Sequence, residues 1–106
     1  MSAYAVAHMR RVTMGPAIVE YLERIDATLA PFGGRFIVHG GEFDLLEGSW
    51  PGNLIVIEFP DRGRARAWYD SDAYQAIVTL RTDNSDSDVI MIDGVDRDHK
   101  ATDVLG

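Results

Sequence analysis

Residues 32–60 read FGGRFIVHGGEFDLLEGSWPGNLIVIEFP. Two apolar runs, Arg35–His39 and Asn53–Phe59, stand apart in this stretch; Gly33-Gly34 and Gly40-Gly41 bracket the first, and Pro60 closes the second. Together they predict two antiparallel strands of a hairpin joined by a turn-rich connection over Glu42–Gly52. The paired glycines suit a helix stop and a strand end that need positive φ. They lack the strand-then-helix setting and the lysine of a phosphate-binding loop.

Outward toward the N-terminus, residues 3–9 alternate: Tyr4, Val6 and His8 fall on one face, and Ala3, Ala5, Ala7 and Met9 on the other. Both faces are largely apolar or aromatic, which predicts a central strand. Thr13 offers an N-cap, Pro16 suits a first helical turn, and Ile18, Leu22, Ile25 and Leu29 recur with helical spacing. Pro31 and Gly33-Gly34 end that helix.

Toward the C-terminus, Pro60-Asp61 stops the hairpin and opens a helix with Ala65 and Trp68 facing inward. A break near Ser71 and a capping-box-like Asp72-Ala73-Tyr74-Gln75, followed by Ile77 and Leu80, predict a second helical region in two pieces. Thr82–Asp88 reads as a loop, and Val89-Ile90-Met91-Ile92 as a short buried final strand. The expected organisation is one domain over residues 1–94 and a polar tail or arm over 95–106.

The order β-α-β-β-α-β is that of the α+β, ferredoxin-like fold, a four-stranded antiparallel sheet with its helices on one face. Its strands are apolar at both parities, Leu54 and Val56 against Ile55 and Ile57. The uncovered face is therefore expected to be buried by a second copy, giving a homodimer with sheets packed face to face.

With 106 residues, 46% apolar and 25% charged, the chain has the composition of one folded domain. Seventeen acids against ten bases give a net charge of −7, and Lys100 is the single lysine, so nucleic acid is an unsuitable partner. The absence of cysteine removes disulfides, thiolate catalysis and cysteine-ligated metal centres. No stretch approaches the roughly 20 apolar residues of a membrane helix, and the N-terminus carries no signal-peptide pattern. These features lead to the expectation of a complete cytoplasmic protein with no membrane partner.

The chain resembles the family called domain of unknown function 1330, within the dimeric α/β-barrel superfamily. The resemblance rests on Phe32-Gly33-Gly34-Arg35-Phe36, Gly40-Gly41, Leu46-Glu47-Gly48, Glu58-Phe59-Pro60, Ala67-Trp68-Tyr69, Ser71, Tyr74-Gln75 and Leu80-Arg81, and covers about residues 3–94. It implies the ferredoxin-like fold and the dimeric α/β barrel. The superfamily includes cofactor-independent monooxygenases, haem-degrading enzymes, lactone isomerases and dehydratases. The resemblance carries no catalytic residue with it. Where the family often places an arginine before the second Gly-Gly pair, this chain has His39, which would make any cationic role there pH-dependent.

The candidate site residues come from the side chains themselves. Arg35 and His39 are four apart on one strand and are expected to share a face, with Glu58 on the neighbouring strand across from one of them. Such a set suits proton transfer at a small carbonyl or lactone, or equally a structural ion pair at the dimer interface. His8, with Tyr4, is expected to line a pocket between sheet and helices as a general base, a haem ligand or a hydrogen-bonded core residue. Trp68, Tyr69 and Tyr74 offer aromatic walls, or plain core packing. Arg81 can anchor a substrate carboxylate or pair with an acid.

The leading expectation is a small cofactor-independent enzyme of monooxygenase, isomerase or lyase type, acting on a small organic molecule. His39, His8 and Glu58 would be its catalytic groups, and Arg35, Trp68, Tyr74 and Arg81 its ligand-binding groups. Three scattered histidines make no metal site. The alternatives are a non-catalytic, stress-associated or ligand-binding dimer and a haem-handling protein.

Overall fold

The computed structural model describes residues 1–106. Its elements run β1 (Ala3–Val12), α1 (Pro16–Leu29), β2 (Arg35–His39), β3 (Asn53–Phe59), α2 (Arg62–Asp70), α3 (Asp72–Gln75), α4 (Val78–Thr82) and β4 (Ser85–Asp93). Short 3-10 turns occupy Ala30–Phe32 and Ala101–Leu105. The sheet order is β2-β3-β1-β4 with every neighbouring pair antiparallel, and β1 is central, as its two apolar faces predict. This is the ferredoxin-like α+β fold. No helix is long and apolar enough to cross a membrane.

The helices cover one face of the sheet. Ala5 of β1 and Ile57 and Phe59 of β3 pack against Tyr21, Ile25 and Leu29 of α1, Ala65 and Trp68 of α2, Tyr74 of α3 and Ile77. Gly33 lies at φ +69°, the left-handed stop the sequence predicts. Gly34 has no positive φ; it is glycine for space, since a Cβ there would sit 2.6 Å from the Phe59 ring and 2.9 Å from Leu29 Cδ2.

Several boundaries differ from the sequence reading. β1 runs on to Val12 through a bulge between Met9 and Arg11, and the Thr13 N–H pairs with the Asn84 carbonyl at 2.8 Å. Thr13 thus ends the ladder instead of capping α1, whose N-cap is Gly15 with Pro16 as the first helical residue. The longer β1 needs a longer partner, so β4 begins at Ser85 and the expected Thr82–Asp88 loop is mostly strand. Polar side chains hid it: Ser85 and Ser87 bond inward, while Asp86 and Asp88 pair with Arg10 on the open face.

The buried side of α1 is Ile18, Tyr21, Ile25, Thr28 and Leu29; Leu22 stands at its edge and is 42% exposed. The second helical region falls in three pieces, not two. Asp61 caps α2 and Ser71 caps α3 through its hydroxyl, and a turn at Ala76–Ile77 separates α3 from α4. After Asp93 the chain is exposed up to and through its 3-10 turn, apart from Gly94, which bonds back to the Ser2 carbonyl.

Candidate functional site

A cavity of about 450 Å³ opens between the helix-side face of the sheet and α1. Met9, Ile55, Ile57, Ile18 and Ile25 supply apolar walls, Trp68 and Tyr74 close one side, and His39 and Gly40 stand at one margin. Pockets of several hundred cubic ångströms with few polar groups are the usual setting for small-molecule sites.

The polar groups sit together among these walls. Tyr21 of α1 and Tyr74 of α3 meet hydroxyl to hydroxyl at 2.8 Å, with their rings edge to face. Burial, followed by the neighbouring Tyr74 oxygen, pushes the Tyr21 pKa well above the usual phenol range, outweighing the opposing pull of Arg81. The Tyr21 hydroxyl therefore stays neutral at ordinary pH, and because the two hydroxyls share one hydrogen bond, one hydroxyl proton of the pair is left for a third partner.

Arg81 of α4 is 7% exposed. Its Nη1 donates to Ser87 Oγ at 3.0 Å; Ser85 Oγ lies 3.2 Å from Ser87 Oγ and donates to the Arg81 carbonyl at 2.8 Å. The two serines thus tie the guanidinium of a helix residue to the strand that follows it. Trp68 is fixed separately: Nε1 donates to Thr28 Oγ1 at 2.9 Å, and that hydroxyl donates to the Ile25 carbonyl. Its ring lies 4.1 Å from Tyr74 and 5.4 Å from Phe59 between centroids, at tilts of 43° and 38°, so the wall is a packed aromatic cluster.

The structure divides the sequence-predicted residues between the two faces of the sheet. His39, Trp68, Tyr74 and Arg81 line the cavity. Arg35, Glu58 and His8 do not. The expectation that Arg35 and His39 share a face is corrected by a β-bulge: Phe36 pairs with Ile57 but Val38 with Val56, so Ile37 is inserted and parity reverses. His39 lands on the helix side, stacked on Phe36 at 4.2 Å, whereas Arg35 stays on the open face. There Arg35 stands opposite Glu58, with Nη2 2.9 Å from the carboxylate.

The placement of His8 and Tyr4 between sheet and helices is corrected too. They pair with Leu54 and Glu58, on the parity opposite the buried Ala3, Ala5 and Met9. The connection Gly40–Gly52 folds back over this face, so that Trp50 stacks on the His8 ring at 4.2 Å and His8 Nε2 lies 2.7 Å from the Pro51 carbonyl. Gly52 makes this return possible: it has φ +86°, and a Cβ there would run into the Met9 carbonyl.

Sequence reasoning passed over Tyr21 and Ser87. Tyr21 lies three residues after Ile18 and four before Ile25, so the helical period alone could have placed it inward. Ser87, in a polar run, carried no such signal. No group of three histidine, aspartate or glutamate side chains is placed to hold a metal ion.

No curated protein matches this chain. Among solved structures, a protein of unknown function from Rhodopseudomonas palustris is 18% identical, with TM-score 0.66 over 90% of this chain and 83% of its own. A dimeric ferredoxin-like protein of unknown function from Jannaschia sp. CCS1 is 10% identical, with TM-score 0.69 over 89% of this chain and 100% of its own. SnoaB, a cofactor-independent oxygenase from Streptomyces nogalater, is 12% identical, with TM-score 0.59 over 93% of this chain and 96% of its own. At these identities the likeness is one of fold. The family model for the domain of unknown function (DUF1330) matches residues 2–95, which include the whole sheet-and-helix unit from Ala3 to Asp93, and the chain belongs to that family.

Proposed function

We propose that this protein is a homodimeric, cytoplasmic enzyme that works without a bound cofactor on a small organic molecule held between the sheet and α1. The observation that carries the reading is the cavity itself, apolar in its walls and furnished with a phenol pair, a buried guanidinium and a histidine. The oxygenase from Streptomyces nogalater, described as cofactor-independent, lends support because it uses the same scaffold.

In this reading His39 is the proton-transfer group, being the one histidine of three that lines the cavity. The Trp68–Tyr74 cluster orients a flat substrate by stacking, and the free hydroxyl proton of the Tyr21–Tyr74 pair donates to a substrate oxygen. The catalytic roles expected of His8 and Glu58, and the ligand role of Arg35, are replaced by contacts on the open face.

That open face is the proposed dimer interface, with the two sheets forming an α/β barrel. Ile90 and Ile92 are 55% and 49% exposed there, and the Gly40–Gly52 connection adds Phe43, Leu45 and Leu46 to the uncovered apolar surface. Several solved neighbours are described as dimeric. The tail after Asp93, which leaves Val104 and Leu105 exposed, is proposed as an arm ordered against the second copy. A haem-handling role is less favoured, because the His8 ring is stacked on Trp50 and its Nε2 is engaged by the Pro51 carbonyl.

The test is native mass spectrometry followed by turnover. The purified protein should run as a dimer, and a small molecule that it retains or that raises its Tm should be consumed on incubation without added cofactor, in air or under nitrogen. His39→Ala should keep the Tm and lose the conversion. Recovery of the stabilising molecule unchanged under both atmospheres would make this a binding protein instead.

A further inference from the structure

The cavity reverses the charge balance of the chain. The sequence holds seventeen acids and ten bases, yet Arg11, Arg81 and His39 line the cavity and no aspartate or glutamate does; Arg10 also borders it, but its guanidinium is turned to Asp86 and Asp88 on the open face. Six arginines (Arg10, Arg24, Arg35, Arg62, Arg64 and Arg66) have a carboxylate within 4.0 Å, and all of those lie toward the surface. Arg81, the one buried cation, has none. Burying a guanidinium without a counter-ion is expensive, and a chain rich in acids had every opportunity to place one beside it.

We infer that the cavity binds an organic carboxylate, with Arg81 as its anchor and the ligand itself supplying the missing counter-ion. The inference rests on the small-molecule reading of this cavity. Guanidinium presents five N–H donors in a planar fork; one donates to Ser87, and the fork also faces the Tyr21 and Tyr74 oxygens, so that the cation and the phenol pair form one polar group with no carboxylate in it. The serine tie holds the fork in place before any ligand arrives, which is the preorganisation that strong anion binding needs. Beside it the Tyr21–Tyr74 pair has a hydroxyl proton to give, and Tyr21 stays protonated because burial pushes its pKa up. Fork and hydroxyl together match the two oxygens of a carboxylate. The closely packed Trp68 and Tyr74 rings and the isoleucine walls suit an apolar, preferably aromatic, body. With a net charge of −7, the protein's long-range field repels anions, so a preference for them has to originate at this local group.

Matched acid and amide pairs isolate the charge. Benzoate and phenylacetate, each against its amide, are added to the full-length protein at about 10 mM, tenfold above a millimolar dissociation constant, with acetate as the ringless control. The acids should raise Tm by about 5 °C, and the amides and acetate by much less. Arg81→Gln should abolish the distinction between acid and amide. Because the comparison is made within the unmodified protein, it stands even if that variant does not fold. Equal shifts from acid and amide would overturn the carboxylate inference while leaving the cavity as a small-molecule site. No shift from any of these probes would overturn both.

Discussion

The two faces of the sheet use the same strands for opposite ends. On the helix side, Ala3, Ala5, Ile57 and Phe59 are nearly or fully buried, and the buried polar side chains sit in sets such as Tyr21–Tyr74 and Arg81–Ser87. On the open side, one residue away in each strand, Arg10 spans Asp86 and Asp88, Arg35 meets Glu58, and Ile90 and Ile92 face outward. The difference teaches where energy is concentrated. Buried aromatic contacts on one face carry the fold, whereas exposed ion pairs on the other contribute little each and serve to steer what docks there.

The strongest way to break the comparison is to empty the closed face. Phe59→Ala removes a fully buried ring that touches Trp68 and fills the space beside Gly34, and should cost about 3–5 kcal/mol in denaturant unfolding. If the loss is below about 1 kcal/mol, this face is not the main core.

On the open face, Ile90→Asp places a charge where the second copy is proposed to sit. The expected result is a dimer dissociation constant weakened by more than about tenfold in sedimentation, roughly 1.4 kcal/mol or more, with the monomer's fold retained by circular dichroism. An unchanged dimer would move the interface elsewhere.

The phenol pair predicts a pH dependence. Tyr21 ionises far more readily unfolded, at about pH 10, than folded, so its contribution is whole below that value and is lost as pH rises beyond it. Tm should fall above about pH 10 in the natural protein, and Tyr21→Phe should flatten that fall. A steep alkaline decline surviving in the variant would assign it to another group.

The smallest effect belongs to the surface pairs. Arg35→Ala should change stability by under about 1 kcal/mol, with its side chain 70% exposed. The Asp86 and Asp88 carboxyls are held below their usual range by hydrogen bonds from Arg10, so whatever they add is present above about pH 4 and fades in acid below it. A loss above about 2 kcal/mol for Arg35→Ala would put the Arg35–Glu58 pair inside the proposed dimer interface and not at its exposed rim.

Much of this architecture is legible in the residues because it follows from local rules. Alternation in residues 3–9, the bounded apolar runs at 35–39 and 53–59, and the inward Ala65, Trp68 and Ile77 specify the central strand, the hairpin and the second helical region. β4 was legible only in its apolar half. Ser85–Asp88 form strand because β1 offers them a ladder and Arg10 offers a charge, neither of which is visible in their own composition. The candidate site was half legible: residue chemistry singled out His39, Trp68, Tyr74 and Arg81, while Tyr21 and Ser87 became site residues through packing.

The sequence by itself determined the fold class, the family and the types of side chain available, since hydrophobic period and turn glycines act over a few residues. The tertiary structure alone decided which of those side chains meet. One inserted residue at Ile37 reverses the parity of a strand and parts His39 from Arg35, and the return of Trp50 onto His8 depends on contacts more than forty residues apart. Parity and long-range closure are properties of paired strands, so no single strand's sequence contains them.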